Sequence, residues 1–166
     1  CTGRVLVHNE TSERLRERSG SVDYVFTDPP FGDFIPYAEV NQINELWLPS
    51  VTDRRRELII SSSQGKDVGR YGQMLTSVFS EIGRVVKRNG FATVVFHAAK
   101  ADVWNAFASS VSTAGMRILQ ASILDKKQAS FKQVVSADSV QGDPMLLLRK
   151  SEQGRVNRSQ KSGDIL

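Results

Sequence analysis

The residues best suited to chemistry form one short run, Asp28-Pro29-Pro30-Phe31. The Asp28 carboxylate and the Pro29 carbonyl provide two hydrogen-bond acceptors, and the prolines hold the turn by restricting its φ angles. Acceptors so placed could bind both hydrogens of an aromatic amine and draw its nitrogen towards tetrahedral geometry for attack on a methyl group. The ring of Phe31 could stack on a base that has left its duplex. The run could therefore hold the exocyclic amine of a nucleobase.

The position of this run in the chain supports a functional role. Taken alone, a turn of this composition is more often a helix cap or a strand stop. Here it follows Val22–Phe26, an apolar run typical of a strand, and its prolines end that strand because they donate no hydrogen bonds to a sheet. Asn9-Glu10 and His97 follow two further predicted strands, although a lone histidine is more often structural. Ligands bind at the carboxyl ends of strands in open α/β sheets, so these residues are expected along one rim.

The elements that must position these residues alternate along the chain. Strands are predicted at residues 5–7, 22–26, 91–96, 116–124 and 144–148, a helical turn at residues 11–16, and helices at residues 37–48, 71–87 and 102–114. The helix at 71–87 has the clearest apolar periodicity, and Asn89-Gly90 is predicted to end it. Trp47 and Trp104 lie on apolar helix faces, which predicts core packing for both. The alternation predicts an open α/β sheet.

Composition sets outer limits on the function. The 166 residues are 40% apolar and 24% charged, as in one domain with a buried core. One cysteine and two histidines give no zinc-type cluster, so no metal site is predicted. No apolar stretch approaches a membrane helix or a signal peptide, which predicts a cytoplasmic protein. The net charge is +4, but the last 18 residues hold five basic and two acidic side chains, so residues 151–166 are predicted to be a polar basic tail or linker.

Several segments resemble a known enzyme family. Thr27-Asp28-Pro29-Pro30-Phe31 is similar to the D-P-P-[YFW] motif IV of amino-DNA methyltransferases, and residues 81–90 are similar to the R-V-L-K-P-G-G passage of Rossmann-like methyltransferases. Further pieces resemble a bacterial DNA-methylase subgroup: Phe31-Gly32-Asp33, Tyr37-Ala38-Glu39, Trp47-Leu48, Gln64-Gly65-Lys66, Val95-Phe96-His97 and Ser130-Phe131-Lys132-Gln133. The resemblance covers residues 3–150, and it implies that residues 1–150 are part of a methyltransferase catalytic domain.

The resemblance implies a role for each matching residue. Asp28, Pro29, Pro30 and Phe31 would be catalytic, and Asn9, Glu10 and Asp28 would bind S-adenosylmethionine. The substrate-binding residues would be Phe31, Phe34, Tyr37, Lys66, Lys127, Phe131 and Lys132. Lys127, Phe131 and Lys132 combine charge with an aromatic ring, which suits phosphate contact and base stacking but also a plain polar hairpin. The basic run Arg54–Arg56 fits a solvated loop and a phosphate contact about equally.

The implied fold is a Rossmann-like methyltransferase sheet, mostly parallel, with an antiparallel strand near the C-terminus. The glycine-rich motif I that grips the cofactor is absent from the 166 residues, and motif III has Asn9-Glu10 where Asp is usual. The sheet would therefore be incomplete beside strand 22–26. Its outer edge is predicted to pair with residues 5–7 shifted inward, with a second copy in a homodimer, or with the remainder of a longer methyltransferase chain. On this basis the fragment itself is predicted to be inactive.

The expected function is methyl transfer from S-adenosylmethionine to the exocyclic amine of adenine, less often cytosine, in DNA, as in restriction-modification. The same motif would serve an RNA amino-methyltransferase, because it contacts the amine and not the sugar. A third alternative is a methyltransferase remnant that binds nucleic acid without catalysis, as the missing glycine loop suggests.

Overall fold

The computed structural model describes residues 3–49, 51–124 and 143–151. Its strands are β1 (Val22–Thr27), β2 (Val86–Val95), β3 (Met116–Leu124) and β4 (Asp143–Lys150). Its helices are α1 (Tyr37–Val40), α2 (Gln42–Glu45), α3 (Val68–Val85) and α4 (Ala101–Thr113), with a short 3-10 helix at Ser62–Gln64. From β1 onwards the predicted alternation of strands and helices is confirmed.

The four strands form one sheet in the order β1-β2-β4-β3. β1 is parallel to β2, whereas β4 is antiparallel to both β2 and β3. Strands β1, β2 and β3 therefore run in one direction and β4 in the other. This confirms the predicted α/β sheet with an antiparallel strand near the C-terminus. Because β4 lies between β2 and β3, however, two of the three strand pairs are antiparallel, so "mostly parallel" holds for strand directions and not for pairings.

The core lies between the sheet and the helix pair α3–α4. Tyr71, Leu75 and Phe79 recur every four residues along α3 and are fully or almost fully buried, as the apolar periodicity predicts. Phe79 meets Phe107 of α4 edge to face at 5.4 Å, and Phe107 stacks on Phe96 at 4.2 Å. These rings hold α3 and α4 against the carboxyl end of β2.

Trp104 has the core role that the sequence predicts for it. Its ring packs edge to face on Phe96 at 5.1 Å, and its Nε1 donates a hydrogen bond to the Ala98 carbonyl at 2.8 Å. The amphipathic ring thus buries its apolar body while its polar group is paired.

The predicted strand at residues 5–7 is wrong. Residues 3–10 have no regular secondary structure, and the side chains of Val5, Leu6 and Val7 are exposed. A three-residue apolar run forms a strand only if another strand accepts its hydrogen bonds, and within the described residues none does. The helical turn predicted at 11–16 is likewise replaced by turns. In the described part of the chain β1 pairs only with β2, so residues 5–7 do not cover its outer edge.

The helix predicted at residues 37–48 forms as two four-residue helices, α1 and α2, with Asn41 between them. The face expected to be buried is exposed instead, and Trp47 is 88% exposed, so its predicted core role is wrong. Short helices need tertiary packing for stability. Among the described residues no apolar surface covers this face, which explains why the helix is interrupted.

The chain enters β1 from an anchor on the last turn of α3. Glu81 accepts a hydrogen bond from the Leu15 amide at 2.7 Å, and Arg84 donates to the Leu15 carbonyl at 3.0 Å. Arg84 also binds Glu81 at 2.6 Å, which lowers the pKa of the Glu81 carboxyl to about 2. Since α3 ends where β2 begins, this anchor lies at the opposite end of the sheet from Asp28.

Gly90, predicted to stop a helix, lies inside β2, which begins five residues before the predicted strand. A Cβ there would lie 2.6 Å from the Asp23 carbonyl oxygen. We predict that Gly90→Ala lowers the free energy of unfolding by about 2 kcal/mol, because the backbone of β1 would have to move. Gly83→Ala in α3 is the control: its Cβ would meet nothing closer than 3.6 Å, so it should be neutral or stabilising by up to about 1 kcal/mol. Urea unfolding followed by circular dichroism measures both, and equal midpoints would contradict the strand contact.

Candidate active site

The run Asp28–Phe31 begins immediately after β1, whose last residue, Thr27, pairs with Val94 of β2. Asp28 is exposed at this carboxyl end of the strand, Pro29 is buried, and Pro30 and Phe31 are half-buried. Gly32 closes the turn with a φ of +72°, a conformation that favours glycine. The predicted location of Asp28 at a strand end is therefore confirmed.

The turn is held by hydrogen bonds around the Pro30 carbonyl. The Tyr71 hydroxyl donates to this oxygen at 2.6 Å, and the Gly32 amide donates to it at 3.1 Å. The Gly32 amide also approaches the Tyr71 hydroxyl oxygen at 3.3 Å. No hydrogen bond within the described residues uses the Pro29 carbonyl. The turn is thus locked through one proline carbonyl while the other can still accept.

The orientation of Phe31 is set by the core. Its ring meets Phe96 edge to face at 5.7 Å and lies 6.5 Å from the ring of His97. His97 in turn lies 4.0 Å from a carboxylate oxygen of Asp143, where β4 begins. The structure therefore brings His97 beside the turn, as its place after a strand predicts. The pairing with a strand residue of the sheet fits the structural role that is more usual for a lone histidine.

Lys66, predicted as a substrate-binding residue, is only 6% exposed. Its Nζ donates to the carbonyls of Arg54 and Glu57, both at 2.6 Å, and burial lowers the pKa of its ammonium group. A buried ammonium group that donates to two backbone carbonyls stabilises the loop and is not positioned to contact a phosphate of a nucleic acid. The structure therefore corrects this assignment: Lys66 stabilises the loop at residues 53–66.

This loop supports the segment that follows the turn. The Glu57 carboxylate accepts from the Ala38 amide at 2.9 Å and from Gln64 Nε2 at 2.7 Å. The Ile60 amide donates to the Gly32 carbonyl at 3.0 Å. Sequence reasoning missed both Glu57 and Tyr71: the first stands in a charged run typical of a surface loop, and the second occupies an ordinary core position of a helix. Only the partner groups distinguish them.

The basic run Arg54–Arg56 is ion-paired within the described residues. The carboxylates are those of Glu39 for Arg54 at 2.7 Å, Asp53 for Arg55 at 2.9 Å and Glu13 for Arg56 at 3.4 Å. Of the two interpretations of this run, the pairing favours a solvated structural loop, because each charge already has a local counter-charge.

Of the remaining predicted substrate residues, two lie close to the turn in sequence and three lie outside the described residues. Phe34 and Tyr37 follow the turn and are exposed. Asp33, between the turn and Phe34, pairs with Lys100 at the start of α4 at 2.7 Å, which ties this segment to a second element. Lys127, Phe131 and Lys132 lie outside the described residues.

The predicted cofactor residues lie in segments without regular secondary structure. Asn9 is exposed, Glu10 pairs with Arg16 at 3.3 Å, and Asp28 is exposed at the rim. The assignment of Asn9 and Glu10 to a cofactor site stays a prediction.

No helix in the described residues is long and apolar enough to cross a membrane. No group of three or more histidine, cysteine, aspartate or glutamate side chains in them is arranged to hold a metal ion.

No family model and no curated protein matches this sequence. Its fold is similar to that of solved methyltransferase structures. One is a Thermus thermophilus protein provisionally described as a DNA modification methylase, with a TM-score of 0.45, 14% identity, and 87% of this chain and 52% of that chain covered. That protein has also been solved with S-adenosyl-L-methionine. Another is a SAM-dependent methyltransferase of Leishmania major, with a TM-score of 0.41, 7% identity, and 84% and 43% covered. The chain spans about half the length of these structures.

Proposed function

We propose that this chain is the amine-binding part of an S-adenosylmethionine-dependent methyltransferase that acts on the exocyclic amino group of adenine, less often cytosine, in DNA. One observation carries the proposal: the turn Asp28–Phe31 follows the carboxyl end of a parallel strand, and its Pro30 carbonyl is fixed by Tyr71. The motif is thus held in one conformation at the rim where α/β sheets bind ligands.

In this proposal two acceptors prepare the amine. The Asp28 carboxylate and the Pro29 carbonyl accept its two hydrogens, which localises the nitrogen lone pair and directs it out of the base plane. S-adenosylmethionine, when bound, would supply the methyl group, its sulfur–methyl bond breaking and S-adenosylhomocysteine leaving as the neutral thioether. As the nitrogen–carbon bond forms, positive charge develops on the nitrogen and is stabilised by the adjacent carboxylate. Asp28 is exposed, so the proton lost from the amine can pass through this carboxylate to solvent.

Phe31 would stack on the target base. A base in the stack cannot reach these acceptors, so it must leave its duplex and be held outside it. Phe31 follows the acceptors directly and is half-buried, with its ring braced edge to face by Phe96. A braced ring loses little side-chain entropy when a base stacks on it.

The other substrate and cofactor residues belong to the proposal as predictions. Phe34 and Tyr37, both exposed after the turn, would contact DNA. The sequence assigns the same role to Lys127, Phe131 and Lys132, and cofactor contact to Asn9 and Glu10. The cofactor pocket would be completed by the remainder of a longer chain or by a second copy at the outer edge of β1. Site-specific DNA methylation, as in restriction-modification, is the biological setting that these residues suit.

The direct test is transfer of labelled methyl groups from S-adenosylmethionine by the intact protein. The substrates are matched DNA and RNA oligonucleotides that carry either adenine or cytosine at the target position. Comparing them separates DNA from RNA and adenine from cytosine. Label in adenine-containing DNA is the expected result. Label only in RNA would establish the RNA alternative, and cofactor binding without transfer to either polymer would exclude a methyltransferase acting on nucleic acid.

Asp28→Ala in the intact protein should lower kcat about a hundredfold or more, because a preorganised acceptor is lost. The matched control is Asp23→Ala, also on the β1 segment, whose side chain is 81% exposed and pairs only with Lys87 among the ion pairs found. Both variants should keep the wild-type Tm within a few degrees, since neither removes core contacts. Asp28→Ala activity within about tenfold of the wild type would remove Asp28 from the mechanism.

Phe31→Ala should raise the KM for DNA by about tenfold or more, since stacking contributes about 1–3 kcal/mol per base. Phe31→Tyr and Phe31→Trp keep a ring and should stay within about threefold of the wild type. Fluorescence of 2-aminopurine at the target position reports base extrusion independently of turnover. If the alanine and tyrosine variants give the same KM and the same fluorescence, stacking is not the role of Phe31.

The isolated 166-residue chain should bind S-adenosylmethionine no more tightly than about millimolar, the weak end of the affinity scale. The reason is that the glycine-rich motif I is absent from the 166 residues and that, in the described residues, β1 has no partner on its outer edge. Calorimetric titration measures this, with the intact protein as the positive control. Micromolar binding by the chain alone would show that the predicted pocket is already complete within it.

A further inference from the structure

We infer that Tyr71 is a positioning residue for the reaction proposed above: its hydroxyl fixes the turn that presents Asp28, the Pro29 carbonyl and Phe31. Tyr71 would touch neither substrate nor cofactor. The inference rests on the proposed function for its catalytic consequence, but its structural part can be tested without any activity.

The hydroxyl of Tyr71 forms hydrogen bonds on both sides of Phe31. It donates to the Pro30 carbonyl at 2.6 Å and receives the Gly32 amide at 3.3 Å, so its two partners are the peptide groups on either side of Phe31. Both bonds reach from the first turn of α3 to a turn about forty residues earlier. Fixing both flanking groups fixes the direction in which the Phe31 side chain leaves the backbone.

The two prolines cannot fix this turn by themselves. A proline ring restricts φ, but the direction of each carbonyl depends on ψ, which stays variable. Prolines also lack an amide hydrogen, so neither Pro29 nor Pro30 can hold the turn by donating a hydrogen bond. The Pro30 carbonyl has two donors: the Gly32 amide within the turn at 3.1 Å, and the Tyr71 hydroxyl from α3, which makes the shorter bond at 2.6 Å and ties the turn to the core.

The anchor of this hydroxyl is rigid. The Tyr71 side chain is fully buried in the core, and burial raises the pKa of its phenol to about 12, so it remains a donor at neutral pH. Its helix begins at Val68, and the carboxylate of the preceding residue, Asp67, caps the first turn by accepting from the Arg70 amide at 2.7 Å. On the other side of the turn, the Ile60 amide holds the Gly32 carbonyl at 3.0 Å. The turn is thus clamped from α3 and from the loop at residues 53–66.

A structural role alone would be served by phenylalanine, because the core contacts Tyr71 through its ring. The hydroxyl adds only the two bonds to the turn. Tyr71→Phe therefore removes the proposed function of the residue and keeps its packing. Tyr24→Phe is the matched control: it deletes a hydroxyl that bonds Thr93 Oγ1 at 2.6 Å, within the sheet and not in the turn.

Two measurements on the intact protein test the inference. Hydrogen-exchange mass spectrometry of a peptide spanning residues 28–33 reports mainly on Phe31, Gly32 and Asp33, because the two prolines carry no amide hydrogen. Steady-state kinetics then separates kcat from the KM for DNA. In Tyr71→Phe we expect exchange in this peptide to be about fivefold faster or more, kcat to fall about tenfold, and KM to stay within about threefold. Tyr24→Phe should match the wild type in all three.

Three results would overturn the inference: unchanged exchange in Tyr71→Phe, faster exchange with an unchanged kcat, or an equal fall of kcat in Tyr24→Phe, which would indicate general destabilisation. A wild-type protein that transfers no methyl group would instead refute the proposed function. The exchange comparison would still decide whether Tyr71 fixes the turn.

Discussion

The candidate site depends on a turn whose two prolines supply no hydrogen-bond donor. Two consecutive prolines end β1 without an amide hydrogen between them, so the backbone there has acceptors and no donors. The missing donors come from Tyr71 and Gly32, both bonded to the Pro30 carbonyl. This requirement reaches deep into the fold, because Tyr71 can act only if α3 is fixed. The aromatic contacts between α3, α4 and the end of β2 fix α3 in place. The geometry of the candidate site therefore depends on the packing of the core.

A second consequence concerns the loop at residues 53–66. It is rich in charge, but its exposed arginines are ion-paired and the Lys66 ammonium is turned inward. These charges bind carbonyls of the loop and carboxylates of the loop and of neighbouring segments, while the Ile60 amide bonds the Gly32 carbonyl. Residues that composition alone associates with a polyanion thus stabilise the backbone behind the turn. Phosphate contact, in the proposed function, falls to residues outside this loop.

The sequence predicted the parts of the fold in which a local pattern and its partner lie in the same chain. The apolar residues that recur along α3 and the branched residues of β1, β2 and β4 pack against one another in one core. The position of Asp28 at the rim of the sheet follows from that packing. The predictions at residues 5–7 and 37–48 failed for a common reason: the pattern marks side chains suited to burial but does not say what buries them. Tyr71 was missed for the opposite reason, since its core position is visible in the sequence and its hydroxyl partners are not.

These failures separate the two halves of the proposed site. The groups that would hold the amine, Asp28 and the Pro29 carbonyl, lie in a turn that the Tyr71 hydroxyl and the Gly32 amide hold through the Pro30 carbonyl. The groups assigned to the cofactor, Asn9 and Glu10, lie in a segment without regular structure. In addition, the outer edge of β1 has no partner strand in the described chain. Electrostatic preorganisation is effective only where donors and acceptors are already fixed before the reaction begins. In the proposed site, the turn on the amine side is held in this way by the buried phenol of Tyr71, which the motif itself does not reveal.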